Sequence, residues 1–195
     1  QKRMRKELKL VFTQHFIRPG YVSSPFFFIK RIFYKAWLAK CAVVIAISCA
    51  VKEAMLARKE VSQKKARLLY NGVELPAKVK SKILKSGDKK VLTVCRLEKE
   101  KNPKIIIEIA KRLPEVEFIL VGTGKLEFYI RKKAPKNLKV IGYTNNVNKY
   151  YKNCDLFLLP AKAEPFGLSL IEAQGFALPV VAVNAGAAKE LVNNR

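Results

Sequence analysis

From Lys89 to the end of the chain, short apolar runs rich in β-branched residues alternate with amphipathic stretches, the pattern of βαβ units on a parallel sheet. The runs are residues 90–95 (KVLTVC), 117–121 (EFILV), 138–141 (LKVI), 156–159 (LFLL) and 180–183 (VVAV). They are nearly continuous in apolar residues, as strands buried on both faces should be. Between them the spacing predicts helices over residues 103–113, 125–133, 147–152, 166–176 and 187–192. The first opens with Asn102 as N-cap and Pro103 in its first turn. The expected fold is α/β, a Rossmann-like, doubly wound parallel sheet with helices on both faces.

The first part of the chain reads differently. Basic amphipathic stretches run up to Lys40; residues 42–47 (AVVIAI) predict a strand, residues 50–58 a helix after Ser48, and residues 66–69 another strand. Asn71–Gly72 predicts a turn that closes this part. From Glu74 to Lys89 the chain is polar and rich in Lys and Ser, the composition of a domain boundary. The expected organisation is the end of one Rossmann-like domain over residues 1–75, a linker over 76–88, and a second such domain over 89–195. His15, the one histidine, sits in the strand-like run VFTQHF, where a single imidazole is more often structural than catalytic.

Three strand ends carry candidate chemistry. After residues 156–159 a loop holds Glu164, and a helix is expected from Pro165–Phe166, with Gly167 in its first turn. Unpaired N–H groups and the positive end of the helix dipole would meet an anion there, at the edge where open α/β sheets bind ligands. Glu172 follows about two turns deeper. Standing alone, these two carboxylates could equally be solvated or capping groups. After residues 90–95 comes RLEKEK, in which Arg96 offers a planar fork of donors and Lys101 a point charge, a set suited to a diphosphate. In so Lys-rich a chain the bland alternative is a solvated loop. The turn Gly122–Thr123–Gly124, after residues 117–121, has too few glycines for a dinucleotide fingerprint.

Composition sharpens this only in part. Half of the 195 residues are hydrophobic, which allows a real core and argues against disorder. The excess of 39 Lys and Arg over 15 Asp and Glu gives a net charge of +24, a field that attracts phosphates, nucleic acid or an anionic membrane without choosing among them. Cys41, Cys49, Cys95 and Cys154 lack the spacing of a zinc site and are expected to be reduced core thiols of a cytoplasmic protein. No signal peptide is visible, and Lys30, Arg31, Lys35 and Lys40 interrupt the most apolar region, which argues against a membrane span.

Residues 159–182, LPAKAEPFGLSLIEAQGFALPVVA, resemble the EPFG…E signature of family 4 glycosyltransferases, retaining enzymes of the two-Rossmann-domain GT-B fold. Arg96 and Lys101 stand at the separation found in the family's Gly-Arg-Leu-x-x-Glu-Lys-Gly element, with Cys95 for its first Gly and Asn102 for its last. Residues 137–143 (NLKVIGY) resemble the family's strand and turn near the nucleobase, and the YNGV of residues 70–73 its crossover between domains. The resemblance implies transfer of a hexose from a nucleotide sugar, such as a UDP- or GDP-sugar, to a glycan or lipid-linked acceptor hydroxyl, with retention and without a metal or other cofactor. It implies that Glu172 binds the ribose, that Glu164 and the backbone of Phe166, Gly167 and Leu168 face the sugar and diphosphate, and that Arg96 and Lys101 hold the diphosphate. Gly142 and Tyr143 would neighbour the base, with Gly122 in the preceding turn; Tyr143 could equally be a core-edge aromatic. The family places a His near the acceptor, for which His15 is the candidate.

The likeness runs from about Val11 to Glu190, with the family's Gly-rich opening loop expected before Gln1 and its closing helices after Arg195, so the chain reads as a fragment. Two rivals stay open: a non-catalytic basic module for nucleic acid or anionic lipid, and a phosphorylase or sugar synthase on the same fold. No specific nucleic acid is expected. The stretch FFFIKRIFYKAW, residues 26–37, reads either as a dock on an acidic membrane or as a helix packed on a missing domain.

Overall fold

A computed structural model describes residues 9–16, 25–74 and 89–192, and the chain divides into two compact units, Gln1–Asn71 and Gly72–Arg195. The linker expected over 76–88 lies outside the described residues.

In the first unit β1 (Val11–Gln14), β2 (Val43–Ala46) and β3 (Ala66–Leu68) pair in parallel in that order, joined through α1 (Pro25–Ala39) and α2 (Cys49–Ala57). Ser48 starts α2 because its Oγ accepts from the Val51 N–H at 3.1 Å. Val44 and Ala46 of β2, Leu38 of α1, and Val51 and Met55 of α2 are all buried. Trp37 of α1 meets Phe12 edge-on at 4.8 Å, and the Tyr34 hydroxyl donates to Gln14 Oε1 at 2.8 Å, fixing this helix on β1. The expected VFTQHF strand stops at Gln14, whose amide donates to the Phe16 carbonyl at 2.8 Å, so His15 lies exposed just past the strand end. Asn71–Gly72 forms no turn: residues 69–74 run on without regular structure, and neither residue has positive φ. A parallel sheet closes no hairpin, so nothing demands a reversal there. Among the described residues no helix is long and apolar enough to cross a membrane.

The second unit carries the expected sheet. Its strands are β4 (Lys90–Val94), β5 (Glu117–Val121), β6 (Leu138–Gly142), β7 (Leu156–Leu159) and β8 (Val180–Ala182), all parallel, in the order β6-β5-β4-β7-β8. The helices are α3 (Lys104–Arg112), α4 (Glu127–Lys133), α5 (Asn148–Asn153), α6 (Leu168–Gly175) and α7 (Ala188–Leu191). Phe118 and Leu120 of β5 pack with Ile106 and Ile107 of α3 and Ile130 of α4. The alternate residue Val121 joins Leu92, Tyr151 of α5, Phe157, and Leu170 of α6 in a second cluster. Burial on both faces explains why these strands lack polar alternation. Thr93, the buried polar residue of β4, is satisfied by donating from Oγ1 to the Leu158 carbonyl at 2.8 Å, which clasps β4 to β7.

The strand order reverses at β4. The chain winds outward through β5 and β6 on one side, then returns to lay β7 and β8 on the other. Connections after β4 and β7 therefore leave in opposite directions and open a crevice at the carboxyl ends of these two strands.

Candidate functional site

Beyond β4 the chain passes Cys95, Arg96 and Leu97 into a 3-10 turn, Lys99–Lys101. Backbone bonds pin this loop on two sides: the Leu97 N–H donates to the Thr123 carbonyl at 2.8 Å, and the Lys162 N–H donates to the Glu100 carbonyl at 3.0 Å. Asn102 does not act as the expected N-cap. It has φ 51 and ψ 42, a left-handed conformation that ends the 3-10 turn, and α3 starts after Pro103 with no side-chain cap. Asn tolerates this conformation better than most residues other than glycine, so the departure from a Gly-ended loop preserves the backbone path.

The loop delivers Lys101 into the crevice, where its Nζ lies 2.7 Å from Glu164 Oε2, with side-chain exposures of 14% and 8%. A Lys after β4 and a Glu after β7, 63 residues apart, thus meet at the reversal point. Arg96 does not join them here. It is 65% exposed and pairs with Glu100 at 3.3 Å, leaving its guanidinium at the rim.

Glu164 is seated from beneath. Its carbonyl accepts from the Ala187 N–H at 2.7 Å, and Gly186, at φ 58, lies so close that a Cβ there would collide with that carbonyl. Phe166 is buried, and Gly167 takes φ 100 as the cap residue. The helix expected from Pro165–Phe166 therefore begins later, at Leu168, because the positive φ of Gly167 is incompatible with a helical first turn. The N–H groups of Leu168 and Ser169 have no helical carbonyl behind them, and Leu168 is 44% exposed. Glu172, half-buried, accepts from the Tyr151 hydroxyl on Oε2 at 2.7 Å.

The remaining expected residues line the same edge. Gly122, at φ 132, follows β5 with its Cα against the Cys95 carbonyl, and its N–H donates to the Gly142 carbonyl at 2.9 Å. Gly142 ends β6 at φ 86, and Tyr143 beyond it is 77% exposed, so it is not a core-edge aromatic. Arg131 backs this turn, donating from Nη1 to the Val140 carbonyl at 2.6 Å while Glu127 holds Nε and Nη2. His15 belongs to the first unit. Tyr151 and Gly186 were not singled out from the sequence; the second stands in the dipeptide Ala185–Gly186 just before α7, a signal of a helix-entry turn.

Two ionisable groups respond to this setting. Burial pushes the Cys95 thiol up to about 12, with the charge of Glu164 adding to the rise and Lys101 and Arg96 opposing it. Cys95 therefore stays a neutral thiol, and its alkylation by iodoacetamide at pH 8 should run roughly three orders of magnitude slower than that of a free thiol, read by peptide mass spectrometry. Tyr151 is pushed well above its ordinary ionisation range, first by burial and then by the Glu172 carboxylate, so it remains a donor.

Comparison with known proteins gives a consistent picture. The family model described as Glycosyl transferases group 1 matches residues 76–195, and that described as Glycosyltransferase Family 4 matches residues 1–76. The chain is 30% identical over 191 residues to the UDP-Gal:alpha-D-GlcNAc-diphosphoundecaprenol alpha-1,3-galactosyltransferase of Escherichia coli, covering 84% of this chain and 49% of the relative. It is 29% identical over 130 residues to an N-acetylgalactosaminyltransferase of Campylobacter jejuni acting on a diphospho-undecaprenol substrate, covering 62% and 35%. Among solved structures, Anabaena Alr3699/HepE in complex with UDP-glucose superposes with a TM-score of 0.78 at 24% identity, over 95% of this chain and 56% of that one. Staphylococcus aureus TarM superposes with a TM-score of 0.75 at 22% identity, over 97% and 40%. The chain thus spans about half or less of the length of these relatives.

Proposed function

Since the chain belongs to the glycosyl transferases group 1, with a family 4 match over its first unit, we propose that its second unit binds a nucleotide sugar and takes part in retaining hexosyl transfer. The observation that carries this reading is the Lys101–Glu164 pair at the reversal point of the sheet, beside the N-terminus of α6. A cation, a carboxylate and free N–H groups converge where a sugar diphosphate needs a counter-charge and a hydroxyl acceptor.

In the proposed reaction Lys101, Arg96 and the N–H groups of Leu168 and Ser169 stabilise the charge that grows on the departing diphosphate. Arg96 swings in from the rim, a short move for an exposed side chain held by one surface ion pair. Glu164 accepts from hydroxyls of the transferred sugar. The bond from C1 to the phosphate oxygen breaks as the acceptor oxygen bonds C1 from the same face, and the leaving phosphate takes the acceptor proton. These cations supply the positive charge, so the proposal invokes no metal or other cofactor. Glu172 takes the ribose; Tyr143 and the Gly142 turn flank the base, with Gly122 shaping the floor. His15 is kept as the acceptor-side candidate, the acceptor being a glycan or a lipid-linked sugar. The UDP-sugars of the Escherichia coli and Anabaena proteins make a UDP-hexose the first donor to try.

Proton NMR of the transfer product tests retention: an α-linked product from an α-linked donor is expected, and a β-linked one contradicts it. Release of a sugar phosphate would instead favour the phosphorylase reading.

A second observation favours peripheral association with an anionic membrane, on its cytoplasmic face. Ile29 and Ile32 of α1 are each 52% exposed and Phe33 is 72% exposed, an apolar stripe on a chain of net charge +24. Co-sedimentation with vesicles containing phosphatidylglycerol should fall at least about fivefold in Phe33→Glu, and binding to neutral vesicles should be weak throughout. Equal binding by Phe33→Glu would remove α1 from the interface.

A further inference from the structure

Glu172 stands half-buried on α6, and a glutamate is a side chain with much rotamer freedom to lose on binding a ligand. Its carboxylate is nevertheless already held. Tyr151, fully buried on α5, donates its hydroxyl to Glu172 Oε2 at 2.7 Å, while the Ser169 carbonyl lies farther off at 3.3 Å. The shorter contact, to a charged acceptor, takes the proton. The ring that presents this hydroxyl is itself fixed: it stacks on Phe176 at 5.3 Å with an interplanar angle of 10° and lies 6.0 Å from Phe157. Among the described residues no hydrogen bond engages Glu172 Oε1. The core therefore grips one oxygen of the carboxylate and leaves the other for a ligand.

We propose that Tyr151 is a positioning residue of the donor site, orienting Glu172 so that Oε1 meets a ribose hydroxyl without the entropy cost of ordering the side chain. This rests on the reading of Glu172 as the ribose acceptor. Tyr151 touches no substrate in this account; it acts through the carboxylate. Preorganisation of this kind should appear as affinity for the ribose hydroxyls and not as affinity for the base or diphosphate. Neighbouring Tyr150 is half-buried against the same core cluster with Lys149 over its ring at 5.0 Å, and none of its hydrogen bonds among the described residues reaches Glu172.

The test measures, on the whole chain, the binding of UDP, GDP and ADP, and then of the 2′,3′-dideoxy counterpart of whichever binds most tightly. Tyr151→Phe keeps the stacked ring and removes only the hydroxyl. It should lose roughly 10-fold in affinity for the ribonucleotide and less than about 2-fold for the dideoxy nucleotide, narrowing the preference between them. Equal loss for both ligands would mark Tyr151 as merely structural, and no loss would show that the grip is immaterial; either overturns the proposal. Glu172→Ala separates this from the underlying reading. If it abolishes the ribose preference while Tyr151→Phe leaves it intact, the donor site stands and the positioning role falls. If Glu172→Ala leaves the preference unchanged, or the unsubstituted chain binds none of the nucleotides, both fall. Thermal melting supplies a second readout: Tyr151→Phe should unfold within a few degrees of the parent, whereas failure to fold would make the hydroxyl a structural group and sink the proposal.

Discussion

Replacement of Lys101 by alanine is expected to cost stability and activity together, by separable routes. Glu164 is held below a tenth exposed with Lys101 Nζ at 2.7 Å, so removing the cation strands a carboxylate in a place where water solvates it poorly. Breaking a buried pair from one side typically costs about 3 kcal/mol or more. The double substitution Lys101→Met with Glu164→Leu should regain most of that stability, because replacing both members of such a pair with apolar groups of similar size is often close to neutral. Activity should not return with it. On the proposed reaction, in which Lys101 meets the leaving diphosphate, kcat should fall by about 10²–10³ in both variants, since the stabilisation lost would belong to the transition state. Chemical denaturation and nucleotide-release kinetics on the same preparations separate the two effects. A double variant that is both stable and active would exclude the pair from the chemistry.

The second large effect is expected at Gly122. Its φ of 132 lies where side chains with a Cβ are rarely found, and an added Cβ would collide with the Cys95 carbonyl. That carbonyl belongs to the segment leading from β4 to Arg96 and Lys101, so relief of the clash must push apart the ends of β4 and β5 and shift the loop carrying the cations. Gly122→Ala should destabilise by about 3 kcal/mol or more, combining backbone strain with displaced packing. Gly72→Ala is the matched control. Gly72 has no positive φ and no atom within 4 Å of an added Cβ, so its replacement should change stability by less than about 0.5 kcal/mol. Equal behaviour of the two variants would contradict the close approach at Gly122.

What could be read from the chain, and what could not, follows from the range of the interactions. The five strands of the second unit were legible because burial on both faces leaves continuous apolar runs, and β5 matches its expected bounds, Glu117–Val121, residue for residue. Lys101 and Glu164 were legible as candidates because each follows a strand end, but their meeting depends on the strand order, which periodicity does not encode. Local rules misjudged single backbone conformations. Asparagine suits both helix N-caps and left-handed turns, so Asn102 does not announce which it takes, and a glycine inside an apolar helical pattern does not announce the φ of 100 that Gly167 adopts. Asn71–Gly72 has the composition of a hairpin turn in a sheet with no hairpins. The role of Tyr151 is not legible in the sequence, because its partner lies 21 residues away on another helix and one of two adjacent tyrosines in an Asn- and Lys-rich segment carries no mark of burial.

The proposed function requires the crevice between β4 and β7 to be a nucleotide-sugar site with Glu172 at the ribose. Calorimetric titration of UDP, GDP and ADP into the chain and into Glu172→Ala at moderate salt tests it most directly. One nucleotide should bind preferentially, and the substitution should weaken it by about 10- to 100-fold, the range for a lost hydrogen bond to a charged acceptor. Weak and equal binding of all three, lost with added salt in both proteins, would contradict it and leave a basic surface that attracts phosphates without a site for the sugar nucleotide.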